Sequence, residues 1–237
     1  MVIPSYNEEA WIAETVSTIP EFVDHIILVD DASTDATSRV AHSLPDGRLE
    51  IVRHETNRGV GAAIATGYRT ARARGAEAVA VMAGDGQMHP ADLYRVVEPI
   101  VQQTHDYVKG NRLTHPDVYR SMPLARLAAG HVLGRLTGLA IGKPQLSDSQ
   151  CGYTAISARA IDALDLDRLW PRYGYPNDLL GEIARRGLSI GEVPVRPVYR
   201  GEASGVRPWH VGTVMFLLAR TVLRRANERR REHLERS

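Results

Sequence analysis

Three short apolar runs, Ile26-Ile27-Leu28-Val29, Leu49-Glu50-Ile51-Val52 and Ala78-Val79-Ala80-Val81-Met82, are each bounded by turn residues and separated by stretches of helical character. Runs of this kind read as strands buried on both faces, as in a parallel sheet covered by helices. A fourth run, Met1-Val2-Ile3, breaks off at Pro4 and gives only a stub of what should be a central strand, so a longer true N-terminus is expected. Helices are expected from Asn7 or Glu8 to about Ile19, from Thr34 to about Leu44 and from Val60 to about Arg74. The order β-α-β-α-β-α-β predicts a parallel sheet with right-handed crossovers. Thr34 and Asp35 stand where an N-cap belongs, and Gly75 where a helix-ending glycine belongs.

Beyond Asp85 the alternation loosens. A helix near Pro90 to Gln103, a strand around Asp106 to Lys109, helices from Pro123 to about Ile141 and from Tyr175 to Arg186, and a short strand Leu188 to Val193 are expected. From about Pro208, Val211, Val214, Met215, Leu218 and Val222 recur at helical spacing. The chain therefore divides into a domain over 1–207 and a basic, amphipathic helical extension over 208–237.

At 237 residues, with 43% hydrophobic and 24% charged content, the chain can bury one substantial core. A net charge of +1 argues against general nucleic-acid binding. Cys151, the only cysteine, cannot form an intramolecular disulfide, and no segment has the pattern of a secretory signal; both favour the cytoplasm. The longest apolar stretch, Val211 to Val222, is interrupted by Arg220 and falls short of the roughly 20 residues of a spanning helix.

Three loops directly follow predicted strands: Pro4-Ser5-Tyr6-Asn7-Glu8-Glu9, Asp30-Asp31-Ala32-Ser33-Thr34-Asp35 and Gly84-Asp85-Gly86-Gln87. In an open α/β sheet the ligand crevice lies outside the carboxyl ends of the strands, so these loops should line one site. Taken singly, each is an ordinary Asp-rich turn or helix cap. Their placement carries the argument.

Together, in this order, they resemble the inverting family 2 glycosyltransferases of the GT-A fold, a Rossmann-like α/β architecture. Asn57-Arg58-Gly59-Val60-Gly61-Ala62-Ala63, Asp85-Gly86-Gln87-Met88-His89-Pro90 and Asp148-Ser149-Gln150-Cys151-Gly152-Tyr153 extend the resemblance over residues 2–207. Lys109-Gly110-Asn111-Arg112 and Glu192-Val193-Pro194-Val195 look like the branch of dolichyl-phosphate mannose synthases and bacterial polyprenyl-phosphate relatives.

The resemblance implies that Pro4, Tyr6 and Glu8 cradle a nucleoside while Asp30 reads the base edge or ribose. Both uracil and guanine offer an imino N–H to such a carboxylate, so UDP and GDP remain open. Glu8 would also offset a helix N-terminus. Asp85 is implied as the ligand of Mg²⁺ or Mn²⁺, with Gln87 directly or through water; Ala83 stands where the family usually has a second acid. Arg112 and Arg126 are implied phosphate clamps, since guanidinium forks fit phosphate oxygens; a surface ion pair is the alternative for Arg126. Asp148 would take an acceptor proton, or orient the sugar or an arginine if the acceptor is already a phosphate anion. Cys151 reads as a small packed residue, and His131 as a helix surface or core residue. The segment Arg200 to Arg207 reads as a lid whose Arg200 and Arg207 meet the diphosphate, or as a flexible exposed loop.

The implied activity is transfer of a hexose from a UDP- or GDP-sugar to a polyprenyl phosphate, with inversion. A soluble acceptor and a nucleotide-sugar-binding protein impaired in catalysis are the alternatives. The C-terminal helix, with Arg220, Arg224, Arg225, Arg229, Arg230 and Arg231, would either lie on anionic lipid at the cytoplasmic face or pack against the core or a second subunit.

Overall fold

The computed structural model describes residues 1–198 and 208–235, so Arg200, Arg207 and the lid assigned to them lie outside the described residues. The chain runs β1 (Val2–Ser5), α1 (Ile12–Ser17), β2 (Ile26–Asp30), α2 (Thr37–His42), β3 (Leu49–Arg53), α3 (Val60–Ala73) and β4 (Ala78–Val81). After a 3₁₀ turn at Pro90–Asp92 come α4 (Leu93–Val101), β5 (Tyr107–Asn111), α5 (Val118–Ser121), α6 (Leu124–Ile141), β6 (Thr154–Ser157), α7 (Ala158–Ala163), α8 (Tyr175–Arg185), β7 (Ile190–Pro194) and α9 (Pro208–Glu235).

The strands form one sheet in the order β3-β2-β1-β4-β6-β5-β7. Every neighbouring pair is parallel except the two made by β6, which is antiparallel to both β4 and β5. This is the mostly parallel α/β architecture expected. Side chains alternate across the sheet: Val2, Ile27, Val29, Val79 and Val81 pack with α3 and α8, while Ile3, Ile26, Leu28, Ala80 and Met82 pack with α1 and α4. The strands are apolar on both faces because both are covered.

Two local expectations need correction, and one strand was not expected. α1 begins at Ile12 rather than at Asn7 or Glu8, because the preceding loop is zipped to the one after β2. Asn7 sits at φ 57°, its amide donates to Ser33 Oγ at 3.0 Å, and its Oδ1 accepts from the Thr34 amide at 2.9 Å. α2 begins at Thr37, behind Ala36, so neither Thr34 nor Asp35 is its N-cap. Glu9 does part of that work from the other loop, accepting the Ala36 amide at 2.8 Å, while Asp35 accepts the Thr37 amide at 2.9 Å. The strand not expected is β6. Thr-Ala-Ile-Ser is short and only half apolar, and its buried place in the sheet comes from β4 and β5 on either side.

β6 decides how the site is built. Because it runs against the other strands, the loop before it, 147–153, reaches the same edge as the loops that follow β1, β2, β4 and β5.

Candidate active site

At the junction of β1 and β4 the order of the sheet reverses, the switch point where open α/β sheets place a ligand crevice outside the carboxyl ends of their strands. Pro4 lies in β1, Tyr6 follows it half-exposed at 45%, and Glu8 begins the turn into α1. The Glu8 carbonyl accepts the Trp11 and Ile12 amides, and the Glu8 amide donates to Thr37 Oγ1 at 2.7 Å. Asp30 ends β2 and is buried, its Oδ1 accepting the Ser33 amide at 2.8 Å. Its neighbour Asp31 is a residue the motif reading passed over. Asp31 accepts from the Arg58 amide at 2.9 Å, the Gly59 amide at 2.7 Å and His54 Nδ1 at 2.7 Å. This one buried carboxylate pins the entry to α3 against the crevice.

Gly84 brings the third loop in. A Cβ there would stand 2.5 Å from Ser5 Oγ, so a larger residue would have to push that hydroxyl aside for the β4 loop to lie against the end of β1. Beyond it Asp85 Oδ1 accepts the Gln87 amide at 3.0 Å, a tight turn completed by Gly86 at φ 67°. Asp85 and Gln87 are both half-buried at the crevice. Among the described residues no three of His, Cys, Asp and Glu cluster as a metal cage. The donor set at Asp85, one carboxylate with an amide nearby, fits a hard divalent ion only if a diphosphate supplies further oxygens.

On the far side of the sheet, Arg112 follows β5 and meets Asp148 from the loop before β6. Nε of Arg112 donates to Asp148 Oδ2 at 2.9 Å, Nη2 to Oδ1 at 3.1 Å, and the Arg112 amide to Oδ2 at 3.1 Å. Asp148 also accepts the Gln150 and Cys151 amides and is only 1% exposed. Burial alone would push this carboxyl up, but the Arg112 guanidinium and nearby Lys109 outweigh it and hold the group below its ordinary value. With both oxygens engaged, Asp148 is arranged to aim Arg112. The fork of Arg112 is thus closed on Asp148, while its side chain keeps 28% of its surface exposed.

Two charged residues that sequence reasoning left unassigned support this pair from the sheet. Glu192 of β7 accepts the Ser147 amide at 3.0 Å and the Asp148 amide at 2.9 Å. Lys109, opposite Glu192 in the β5–β7 register, is fully buried and donates to the Cys151 carbonyl at 2.5 Å; burial draws its ammonium below the ordinary lysine value. Cys151 is buried, and its burial pushes the thiol up, as suits a packed residue. A lysine inside the strand Tyr107-Val108-Lys109 was the available signal, because an unpaired ammonium is too costly to bury without function or partners. Gly134 of α6 completes the wall: a Cβ there would lie 1.8 Å from the Ser147 carbonyl. Arg126 is half-buried near the start of α6. His131 lies exposed on α6.

The sequence pattern of glycosyl transferase family 2 matches residues 1–165. This chain belongs to that family. It is a glycosyltransferase, and the crevice just described is its candidate active site. A UDP-N-acetylglucosamine--dolichyl-phosphate N-acetylglucosaminyltransferase of Methanococcus voltae is 32% identical over 214 residues, 84% of this chain and 85% of that protein. An undecaprenyl-phosphate mannosyltransferase of Micrococcus luteus is 30% identical over 204 residues, 84% of this chain and 83% of that one. Among solved structures, glucosyl-3-phosphoglycerate synthase from Mycobacterium tuberculosis with Mn²⁺ and UDP-glucose superposes with a TM-score of 0.68 at 21% identity, over 94% of this chain and 77% of that chain. That likeness establishes the fold.

The C-terminal helix of this glycosyltransferase is packed on the domain. Val214, Leu217, Leu218 and Thr221 of α9 are buried against α6 and α8. Arg220 bonds Asp178, Arg224 bonds Glu182 at 2.7 Å, and Arg225 donates to the Ala140 carbonyl at 2.6 Å. Three of the six arginines set aside for lipid are thus used within the protein. The helix is apolar on a second side as well, with Val211, Met215 and Val222 exposed, and α6 exposes Val132, Leu136 and Leu139. At about 100° per residue, both rows border the seam where Ala140 meets Val214 and Leu218. No helix among the described residues is long and apolar enough to cross a membrane.

Proposed function

We propose that this glycosyltransferase moves a hexose from a UDP- or GDP-sugar to a polyprenyl phosphate with inversion at the anomeric carbon. The observation that carries the reading is Arg112, a part-exposed guanidinium whose Nε and Nη2 are held by a buried carboxylate at the crevice edge, a fixed positive charge that suits an anionic acceptor. The names of the Methanococcus and Micrococcus relatives, both prenyl-phosphate sugar transferases, support it.

In this mechanism Pro4, Tyr6, Glu8 and Asp30 hold the nucleoside. Asp85, with Gln87, would hold Mg²⁺ or Mn²⁺, which when bound neutralises charge on the diphosphate. A phosphate oxygen of the acceptor, placed by Arg112 and Arg126, attacks the anomeric carbon from the face opposite the diphosphate. The new C–O bond forms as the old one breaks, and the electron pair leaves with the nucleoside diphosphate. No proton has to be removed from a phosphate anion, so Asp148 acts as a positioning residue. Arg200 and Arg207 are proposed to meet the departing diphosphate.

The enzyme is proposed to sit peripherally on the cytoplasmic leaflet, with the exposed rows of α6 and α9 in the interface and the crevice within reach of a prenyl phosphate headgroup. The test is incubation with UDP- and GDP-sugars, Mn²⁺ and a short polyprenyl phosphate, with the product's anomeric configuration read by NMR. A lipid-linked sugar of inverted configuration is expected. Sugar transfer to water-soluble acceptors alone would overturn the lipid reading.

A further inference from the structure

Three neighbouring strands end in one polar row. Ser5 closes β1, Asp30 closes β2 and Arg53 closes β3, and the pairing sets Ser5 opposite Asp30 and Asp30 opposite Arg53. Residues directly opposed in a sheet share a face, so a hydroxyl, a carboxylate and a guanidinium stand side by side at the crevice. Ser5 is 4% exposed and Asp30 0%, yet Ser5 Oγ and Asp30 Oδ2 have no hydrogen-bond partner among the described residues. Arg53 Nη1 is 3.1 Å from Asp30 Oδ2 as an ion partner, without the alignment of a hydrogen bond. Buried polar atoms are nearly always hydrogen-bonded, so Asp30 Oδ2, held at the crevice only by the charge of Arg53, keeps acceptor capacity for a ligand's N–H. The Arg53 side chain is 49% exposed and moored by Nη2 to the Ser33 carbonyl at 2.9 Å, which puts a donor on the rim above the acceptor.

We propose that Arg53 reads the donor's base together with Asp30, admitting bases with a ring N–H beside a carbonyl and rejecting those with a bare ring nitrogen beside an amino group. The inference rests on the donor reading above and adds the residue that makes the recognition two-point. A carboxylate can only accept and a guanidinium can only donate. Uracil and guanine match that order, with N–H toward Asp30 and carbonyl toward Arg53. Cytosine and adenine invert it, setting a lone pair against the carboxylate and an amino group against the guanidinium. The base edge reaches Oδ2 as the half-exposed guanidinium slides toward the rim, still tethered to Ser33. Sites built to hydrogen-bond a ligand group discriminate strongly against its absence, because their own buried groups are then left unpaired.

Calorimetric titration of the full chain with UDP, CDP, GDP and ADP in the presence of Mn²⁺ tests this. Within at least one pair, UDP against CDP or GDP against ADP, the first is expected to bind at least about 10-fold tighter, and the pair that discriminates identifies the ring. Arg53→Ala should bring that ratio below about threefold, chiefly by weakening the accepted nucleotide, and Arg53→Gln, which keeps an N–H donor, should restore part of it. Equal affinities within both pairs would overturn the inference and leave the donor reading standing. So would an Arg53→Ala loss of the same factor for UDP and CDP, which would mark Arg53 as a general attraction for diphosphate. If none of the four binds, the donor reading falls with it.

Discussion

Arg112 and Asp148 are 36 residues apart and depend on each other. Removing one partner of a buried ion pair leaves the other unpaired, so Asp148→Asn is expected to cost about 3 kcal/mol in urea unfolding. Arg112→Lys keeps the charge and loses the fork. It should lower kcat on the order of 10²-fold while leaving nucleoside diphosphate affinity unchanged, and a KM effect alone would reject the phosphate role. At Asp85 the lone carboxylate makes a more particular demand. Mn²⁺ should bind measurably only when UDP or GDP is present, and Asp85→Ala should abolish the metal's contribution to nucleotide affinity without changing the melting temperature. Tight Mn²⁺ binding to the nucleotide-free enzyme would show that other ligands hold the ion.

The element that most changes in meaning between sequence and structure is α9. Its stripe looked like one apolar face, yet Val214 and Leu218 point into the protein while Val211, Met215 and Val222 point out. Deleting residues 208–237 should therefore aggregate the enzyme by uncovering α6 and α8. The informative variants are instead Leu136→Lys with Met215→Lys, which leave the buried side intact. They should keep the melting temperature and lose sedimentation with vesicles. Since Arg220, Arg224 and Arg225 are engaged inside the protein, vesicle binding should persist in high salt, and its complete loss in 0.5 M salt, about a 4 Å screening length, would return the weight to arginine–lipid attraction. The strands β1 to β4 were legible because double-sided burial leaves plain apolar runs. Lys109, Glu192 and β6 were not, because what makes each of them meaningful is a partner far along the chain: Cys151 for the lysine, Ser147 and Asp148 for the glutamate, two flanking strands for β6.

For the molecule as a whole, three paired carboxylates set the acid limit of stability. Burial would raise each of Asp106, Asp148 and Glu182, but hydrogen bonds and arginines hold all three below their ordinary values. A depressed carboxyl stabilises the fold above its unfolded pKa and ceases to do so as pH falls through its folded value. Stability should therefore be level down to about pH 4 and fall below it. Loss between pH 6 and 5 in chemical unfolding would point to other groups. The reversed strand also governs how the sheet can be completed during synthesis. β4 and β5 each leave a backbone edge waiting for Thr154–Ser157, and β5 a second edge waiting for Ile190–Pro194, so a nascent chain ending near residue 146 carries three strand edges without their partners and no Asp148 for Arg112. Unpaired edges recruit other chains. The interval between the synthesis of β5 and that of β7 is when this enzyme is expected to be most exposed to misassembly.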